Sequence, residues 1–286
     1  MSIQIENLQH IYNQGTPFES VALKDINLEI EHNDFVAIIG STGSGKSTLI
    51  QHLNGLLKAT NSDCKINIYG KDLYKDKLSL KEIRRKVGIV FQYPEHQLFE
   101  TTVFKDVAFG PKNIGFSEDE VEKSVKYALS LVGIGEEFYE KSPFELSGGQ
   151  KRKVAIAGVI AMKPEVLVLD EPVAGLDPKS KNDLFNTIRQ MKKELNITII
   201  LVSHSMDDVS EIADKVIVMD KGTVVIYDEM KKVFSQKEKL KEIDLDIPEA
   251  TKLLSALKNN GFDVDVNIYD LQSTVDEILS KIVKVK

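Results

Sequence analysis

The sequence predicts an α/β fold built on a parallel sheet, and three observations carry that reading. Four short apolar runs without alternation, Phe35–Ile39, Val166–Leu169, Ile197–Val202 and Val216–Met219, have the form of strands covered on both faces by helices. Helical periodicities lie between them, at Lys46–Leu57, Glu118–Val132, Gln150–Met162 and Lys179–Leu195. The 286 residues are 42% hydrophobic and 28% charged, enough apolar material for a full core and too much for a disordered chain.

Taken in order, residues 3–8 and 23–30 alternate apolar and polar side chains, which predicts two half-buried strands of an antiparallel β subdomain. The first parallel strand and its helix follow. From about Leu80 to Lys163 the strand–helix alternation gives way to mostly helical material, which predicts a helical subdomain inserted into the core. One of its helices opens with a capping box at Ser117 and Glu120. Asp220-Lys221-Gly222 reads as a tight turn between Val216–Met219 and Thr223–Tyr227. The charged stretch Gln236–Asp246 then closes the core, dividing the chain into residues 1–235 and a small extension, 236–286. Two amphipathic helices are expected in the extension. One is Pro248–Lys258, with Gly261 beyond its end, and the other is Val275–Val285, preceded by Ser273 and Thr274.

Charge and composition exclude several function classes. Thirty-seven Lys and Arg against 44 Asp and Glu give a net charge of −7, the wrong sign for holding nucleic acid by bulk charge. The longest apolar run, Val154–Met162, is broken by Gly158 and is well short of the roughly 20 residues that cross a bilayer. Met1–Asn13 alternates and carries no basic n-region or small-residue cleavage site, so the chain is expected to stay in the cytoplasm. Cys64 is the single cysteine, which excludes intrachain disulfides and multi-thiolate metal sites and leaves an ordinary thiol.

Gly40-Ser41-Thr42-Gly43-Ser44-Gly45-Lys46-Ser47 matches G-x-x-x-x-G-K-[ST] between a strand and a helix. Its glycines let backbone N–H groups turn inward, and the helix N-terminus favours an anion there. Lys46 is placed to meet β/γ-phosphates, Ser47 to ligate Mg²⁺, and Thr48 to add a polar contact nearby. The run Val166–Leu169 ends in Asp170 and Glu171, where a parallel sheet presents side chains to its ligand crevice. Asp170 is expected to hold Mg²⁺ through water, and Glu171 to orient or deprotonate the attacking water. Leu146-Ser147-Gly148-Gly149-Gln150 marks a second helix N-terminus with exposed N–H groups. A chain with a complete phosphate loop does not need this second anion site for its own nucleotide, so it is expected to serve a facing subunit.

With this pentapeptide shortly before an Asp-Glu strand, the sequence resembles the ATP-binding subunits of ABC transporters. The resemblance implies a P-loop NTPase core, and it assigns further positions. Gln92 is similar to the glutamine that contacts Mg²⁺ or the lytic water and links core to helical subdomain; Asp177, in Gly175–Pro178, to the residue that communicates across the dimer; and His204 to the switch histidine at the γ-phosphate. Tyr12 resembles the aromatic that stacks on adenine, and it could equally pack beneath the antiparallel strands. Val173 and His10 depart from the family pattern without touching a catalytic position. Lys151, Arg152 and Lys153 read as a solvated helix face, with contact to the nucleotide or an acidic partner as the alternative.

Pro94–Phe99, Val107–Asn113 and Gly15–Glu19 resemble more narrowly the ATPases of energy-coupling factor transporters, the last segment the second of the two ATPase paralogues. That resemblance covers roughly residues 3–285. It implies ATP-driven uptake of vitamins or transition-metal ions, with Mg²⁺ as cofactor and a peripheral position on the cytoplasmic face of the membrane. The implied partners are a second ATPase subunit, a transmembrane coupling subunit and a substrate-capturing membrane subunit. A classical importer ATPase, or a soluble ABC ATPase such as an iron–sulfur assembly subunit, is the alternative.

Overall fold

The computed structural model describes residues 2–76 and 79–281. The chain opens with β1 (Ile3–Tyr12) and β2 (Ser20–Ile30), paired antiparallel with Ile3 opposite Ile30 and Tyr12 opposite Ser20. Both strands run longer than the alternation suggests, because register shifts between Ile5 and Ile11 break the period. β3 (Phe35–Gly40) leads through the glycine loop into α1 (Lys46–Leu53). α1 stops four residues before Leu57, where Gly55 takes a left-handed φ of 71° that a helix cannot continue through. β4 (Lys65–Ile68) and β5 (Lys71–Asp72), for which the sequence pattern gives no expectation, complete a four-stranded sheet in the order β2-β1-β4-β5.

α2 (Leu80–Lys86), opened by a Ser79–Glu82 capping box, precedes β6 (Val87–Val90). The helices α3 (Val103–Ile114), α4 (Glu118–Leu131) and α5 (Gly148–Ile160) then pack on one another. The Ser117–Glu120 capping box is present at α4. Within residues 80–163, β6 is therefore a strand of the main sheet, and the wholly helical stretch begins after it. The core resumes with β7 (Val166–Asp170), α6 (Pro178–Leu195), β8 (Thr198–Val202), α7 (Met206–Ile212), β9 (Lys215–Asp220) and β10 (Thr223–Glu229). The six-stranded order is β10-β9-β3-β8-β7-β6, parallel except for β10 at one edge.

Period-2 alternation divides the apolar strands between two cores. Phe35, Ala37, Ile39, Leu167, Leu169, Ile199 and Leu201 face a cluster shared with α3–α6. Val36, Ile38, Val166, Val168, Ile200 and Val202 face a second cluster shared with α1, β1, β2 and β4. The unbroken runs predict helices on both faces, and the second face is instead covered largely by the antiparallel sheet. Such a run demands only that both faces be dry, and it is silent about what dries them.

α8 (Met230–Ser235) follows β10 and packs on it, and the tail beyond contains α9 (Lys237–Glu242), α10 (Glu249–Asn259) and α11 (Leu271–Lys281). α11 begins four residues earlier than expected because Asp270, and not Ser273 or Thr274, accepts the first-turn N–H, that of Ser273, at 2.8 Å. The expected end of that helix, residues 282–285, lies outside the described residues. α10 docks on α7 through Asp207, whose Oδ1 accepts the Glu249 N–H at 2.8 Å. Cys64 is buried, and burial pushes its thiol up to about 12, so it is inert at neutral pH.

Candidate nucleotide site

The strand order assembles the site. In parallel strands all C-terminal ends face one way, and β3, β8, β7 and β6 are consecutive neighbours. The residues that follow them, Gly40–Ser47, His204, Asp170–Glu171 and Gln92, therefore emerge along one edge. Ser203 N–H donates to Ile38 O at 3.2 Å and Glu171 N–H to Val202 O at 3.0 Å, which extends the pairing past the strand ends into the site.

Gly45 caps α1 with φ 103° and no side-chain capping bond, so the first N–H groups of α1 remain available to an anion. A Cβ on Gly45 would stand 2.7 Å from Ala22 O and 2.8 Å from Leu23 Cδ2. Gly45→Ala combines that overlap with left-handed strain of about 1–3 kcal/mol. It is expected to lower both the thermal midpoint and ATP affinity, and unchanged melting with unchanged equilibrium binding would contradict this account of the loop.

Lys46 Nζ lies over the loop and donates to Gly40 O at 2.7 Å and Ser41 O at 3.0 Å. Burial lowers its pKa, and the nearby charges of Glu171 and Asp170 act against that fall. Asp170 is pushed up to about 6 by burial and by the Glu171 charge, with Lys46 pulling the other way. His204 Nδ1 is 2.7 Å from Glu171 Oε1 and donates to it, although the imidazole itself is 74% exposed. Lys46, Asp170, Glu171 and His204 thus form one electrostatic group.

Ser44 Oγ is buried beside Gly40 without a hydrogen-bond partner among the described residues, and the loop carbonyls Gly40 O and Ser41 O are taken by Lys46. Thr48, next to Ser47 in the first turn of α1, has its Oγ1 3.2 Å from the Tyr12 hydroxyl. Tyr12 is 38% exposed and edge-on to His10, with ring centroids 4.5 Å apart, so it stands beside the loop and is not buried beneath the strands. Ser47, Gln92 and Asp170 offer hard oxygen donors of the type Mg²⁺ prefers. No group of three or more His, Cys, Asp or Glu suited to a metal occurs among the described residues, so an ion here would need phosphate and water oxygens as well. The donor set and the unpartnered Ser44 hydroxyl both fit a Mg²⁺–nucleotide.

The second anion site is built but stands apart. Ser147 caps α5 in a reciprocal box, its Oγ accepting Gln150 N–H at 3.3 Å and Gln150 Oε1 accepting Ser147 N–H at 3.0 Å. Leu146 anchors this turn in the core. A Cβ on Gly148 would meet nothing within 4 Å and one on Gly149 only Ser180, at 3.7 Å, so the turn presents bare backbone. No hydrogen bond joins it to Gly40–Ser47 among the described residues. Asp177 caps α6, accepting Lys179 N–H at 3.0 Å, Ser180 N–H at 3.1 Å and Ser180 O–H at 2.6 Å. The Ser180 hydroxyl bond, followed by its backbone N–H, holds this carboxyl below the usual range.

One expectation is overturned. Arg152 is not on a solvated face: it is 2% exposed and bonded to Glu95, Pro172 O and Ala174 O. Arg152, Ile156 and Ile160 recur at every fourth position among the buried residues of α5, so periodicity could have placed the arginine on the inner stripe.

A phosphate loop, an acidic strand end and a glycine-rich cap on a helical insert define a nucleotide-binding cassette. The family described as "ABC transporter" matches residues 23–174. A relative from Clostridium tetani, "Energy-coupling factor transporter ATP-binding protein EcfA2", is 54% identical over 280 residues, covering 98% of this chain and 96% of its own. A protein of the same name from Bacillus licheniformis is 47% identical over 279 residues, 97% of this chain and 96% of its own. Among solved structures, cbiO1 from Clostridium perfringens, part of the ABC transporter complex cbiONQ, is similar with TM-score 0.73 and 42% identity, covering 85% of this chain and 94% of that one. A dimeric ATP-binding cassette in a post-hydrolysis state with ADP and Pi gives TM-score 0.68 at 28% identity, covering 80% and 98%. This chain belongs to the ABC transporter family, among the ATP-binding proteins of energy-coupling factor transporters.

Proposed function

We propose that this chain binds and hydrolyses ATP to power uptake by a membrane-embedded energy-coupling factor transporter of vitamins or transition-metal ions. The observation that carries the reading is the pairing of a complete phosphate edge with a separate, capped and backbone-bare turn at Ser147–Gln150. Two ATPase subunits facing head to tail put each such turn against the other's nucleotide. The cassette solved as a dimer with ADP and Pi is consistent with that arrangement.

In this reading Tyr12 meets the adenine. Gly40, Ser41, Thr42, Gly43, Ser44 and Gly45 cradle the phosphates with backbone N–H groups, Ser44 gains an acceptor for its hydroxyl, and Lys46 leaves its carbonyl partners for the β/γ-phosphates. Thr48 supports Tyr12 through their hydroxyl contact. Bound Mg²⁺ would neutralise charge on the β- and γ-phosphoryl oxygens, held by Ser47 and Gln92 directly and by Asp170 through water. Glu171 orients or deprotonates the attacking water, and His204, donating to Glu171, both aligns that carboxylate and reaches the γ-phosphate. Leu146, Ser147, Gly148, Gly149 and Gln150 act on the facing subunit's γ-phosphate, and Asp177 keeps the adjoining loop shaped for cross-dimer contact. Contacts to the γ-phosphate from both subunits favour the closed pair over the open one, and their loss on hydrolysis is what can shift the equilibrium.

The facing subunit is a second, different ATPase, and the motion passes to a transmembrane coupling subunit associated with a substrate-capturing membrane protein. Tyr93, Phe99 and Phe109 support this docking: they are 43%, 58% and 46% exposed, just beyond Gln92 and on the insert, with the Phe99 and Phe109 rings edge-on at 4.9 Å. No helix among the described residues is long and apolar enough to cross a membrane, which fits a peripheral subunit held on the cytoplasmic face by its partners. Purification of the tagged full-length chain from detergent-solubilised membranes tests the reading. Recovery of another ATPase with two membrane proteins, and Mg²⁺-dependent ATP hydrolysis by that assembly, is expected. Recovery of soluble assembly proteins alone would overturn it.

A further inference from the structure

Arg152 is one of the largest fully buried side chains among the described residues, and its four bonds lead to two different parts of the site. Its Nη2 and Nε donate to Glu95 Oε1 at 2.6 Å and Oε2 at 3.0 Å, and its Nη1 donates to Pro172 O at 2.8 Å and Ala174 O at 2.9 Å. Glu95 lies three residues after Gln92, in the short helix Pro94–Gln97 that packs on α5. Pro172 and Ala174 lie between Glu171 and Asp177. Arg152 itself stands five residues after Ser147 on α5. One guanidinium therefore ties together the three segments that carry the glutamine, the carboxylate and the capped turn.

The chemistry suits arginine alone. Its planar fork can grip a carboxylate with two parallel bonds while a remaining N–H group reaches backbone carbonyls, whereas a lysine ammonium offers a point charge without that geometry. Burial by itself would raise Glu95, yet the Arg152 bonds hold its carboxyl below the usual range, so the pair is ionised. A buried ion pair that loses one partner leaves the other charge unmatched, so the linkage is either whole or costly to break.

Under the proposed function, on which this inference rests, Ser147 serves the facing subunit's nucleotide, while Gln92 and Glu171 serve the chain's own. We infer that Arg152, gripped by Glu95, is a positioning residue that couples the two composite sites, so that closure on the partner's nucleotide and alignment of this chain's own hydrolytic groups occur as one movement. Arg152 bonds only Glu95, Pro172 O and Ala174 O, and none of these lies in the loop Gly40–Thr48 that holds the nucleotide of the lone chain.

The test uses the full-length chain with the ATPase subunit that it pairs with, in a Glu171→Gln background, and follows the ATP-trapped dimer by size-exclusion chromatography. Adding Glu95→Gln is expected to raise the ATP concentration for half-maximal trapping about tenfold, the scale of one charge-assisted bond. ATP affinity of the unpaired chain stays unchanged, which a general loss of structure would not permit. Glu95→Asp, which keeps the carboxylate and is less disruptive, is expected to fall between the two, and Arg152→Lys to behave like Glu95→Gln. Trapping at the parental ATP concentration in Glu95→Gln, or a parallel loss of trapping and single-chain affinity in both Glu95 variants, overturns the coupling role. If Glu171→Gln alone fails to trap a dimer, the head-to-tail reading itself is wrong, and the inference falls with it.

Discussion

Glu171→Gln is expected to lower ATP turnover about a thousandfold, within the range that a positioned general base contributes, while ATP binding survives. The amide keeps the length of the side chain and its Oε1 can still accept from His204 Nδ1, which lies 2.7 Å from the carboxylate oxygen. What it loses is the negative charge and the capacity to take a proton from water. The backbone is not newly strained, since residue 171 already holds a non-glycine side chain at φ 49°. Removing a negative charge from the phosphate edge also favours a bound polyanion, so the nucleotide-loaded closed pair should accumulate. Steady-state hydrolysis and size-exclusion chromatography of the assembled subunits measure the two effects together. Normal turnover would remove Glu171 from the chemistry, and loss of nucleotide binding along with turnover would make its role structural.

The sequence displays the phosphate edge because its residues are contiguous and their strand context is short-range. Gly40–Thr48, Asp170–Glu171 and His204 each follow an apolar run that had to be a strand, so placing the strands side by side is enough to bring them together. The turn at Ser147–Gln150 is legible for the same reason, as a local cap. Features decided by partners distant in the chain are less legible. Arg152 meets Glu95 from 57 residues away, and a basic triplet after a glycine turn gives no hint of that carboxylate. β4 and β5 form from Lys65–Ile68 and Lys71–Asp72, too short for periodicity to speak, and β4 is fixed by pairing with β1. The cover on the second face of the parallel sheet differs from expectation because Val36, Ile38 and their neighbours record dryness and not the identity of the neighbour. Asp177 reads in the sequence as a residue of the dimer seam, and the structure adds that its carboxylate is already committed to capping α6.

Asp170→Asn is expected to stabilise the nucleotide-free protein and to lose most of that advantage when Mg²⁺–ATP is bound. In the native chain burial and the Glu171 charge raise the Asp170 carboxyl from 3.8 to about 6. Between those values the native state binds more protons at this site than the unfolded state does, so stability contributed by Asp170 falls as pH rises through the window and stays lost above it. The asparagine has no proton to lose. At pH 7.5 to 8 the nucleotide-free variant should therefore melt above the parent, on the scale of about 2–4 °C for each kcal/mol recovered, and the difference should shrink steadily from about pH 6 towards about pH 4 as the native carboxyl takes up its proton. Mg²⁺ acts against this gain. In the proposed role, the charge that destabilises the free protein would attract the ion through its water shell, and its removal should weaken Mg²⁺ affinity about 10- to 100-fold. With saturating Mg²⁺–ATP the parent gains about 1.4–2.7 kcal/mol more linkage stabilisation than the variant, the equivalent of that affinity difference of about 10- to 100-fold, so the gap between their melting points should narrow. Parental Mg²⁺ affinity should also fall as pH drops below 6 while that of the variant stays flat across the same range. Thermal midpoints measured on both proteins from pH 4 to 8, with and without Mg²⁺–ATP, decide the matter. A variant less stable than the parent at pH 8 without nucleotide would mean that the carboxylate supports the fold at rest, contrary to the raised value argued from its surroundings.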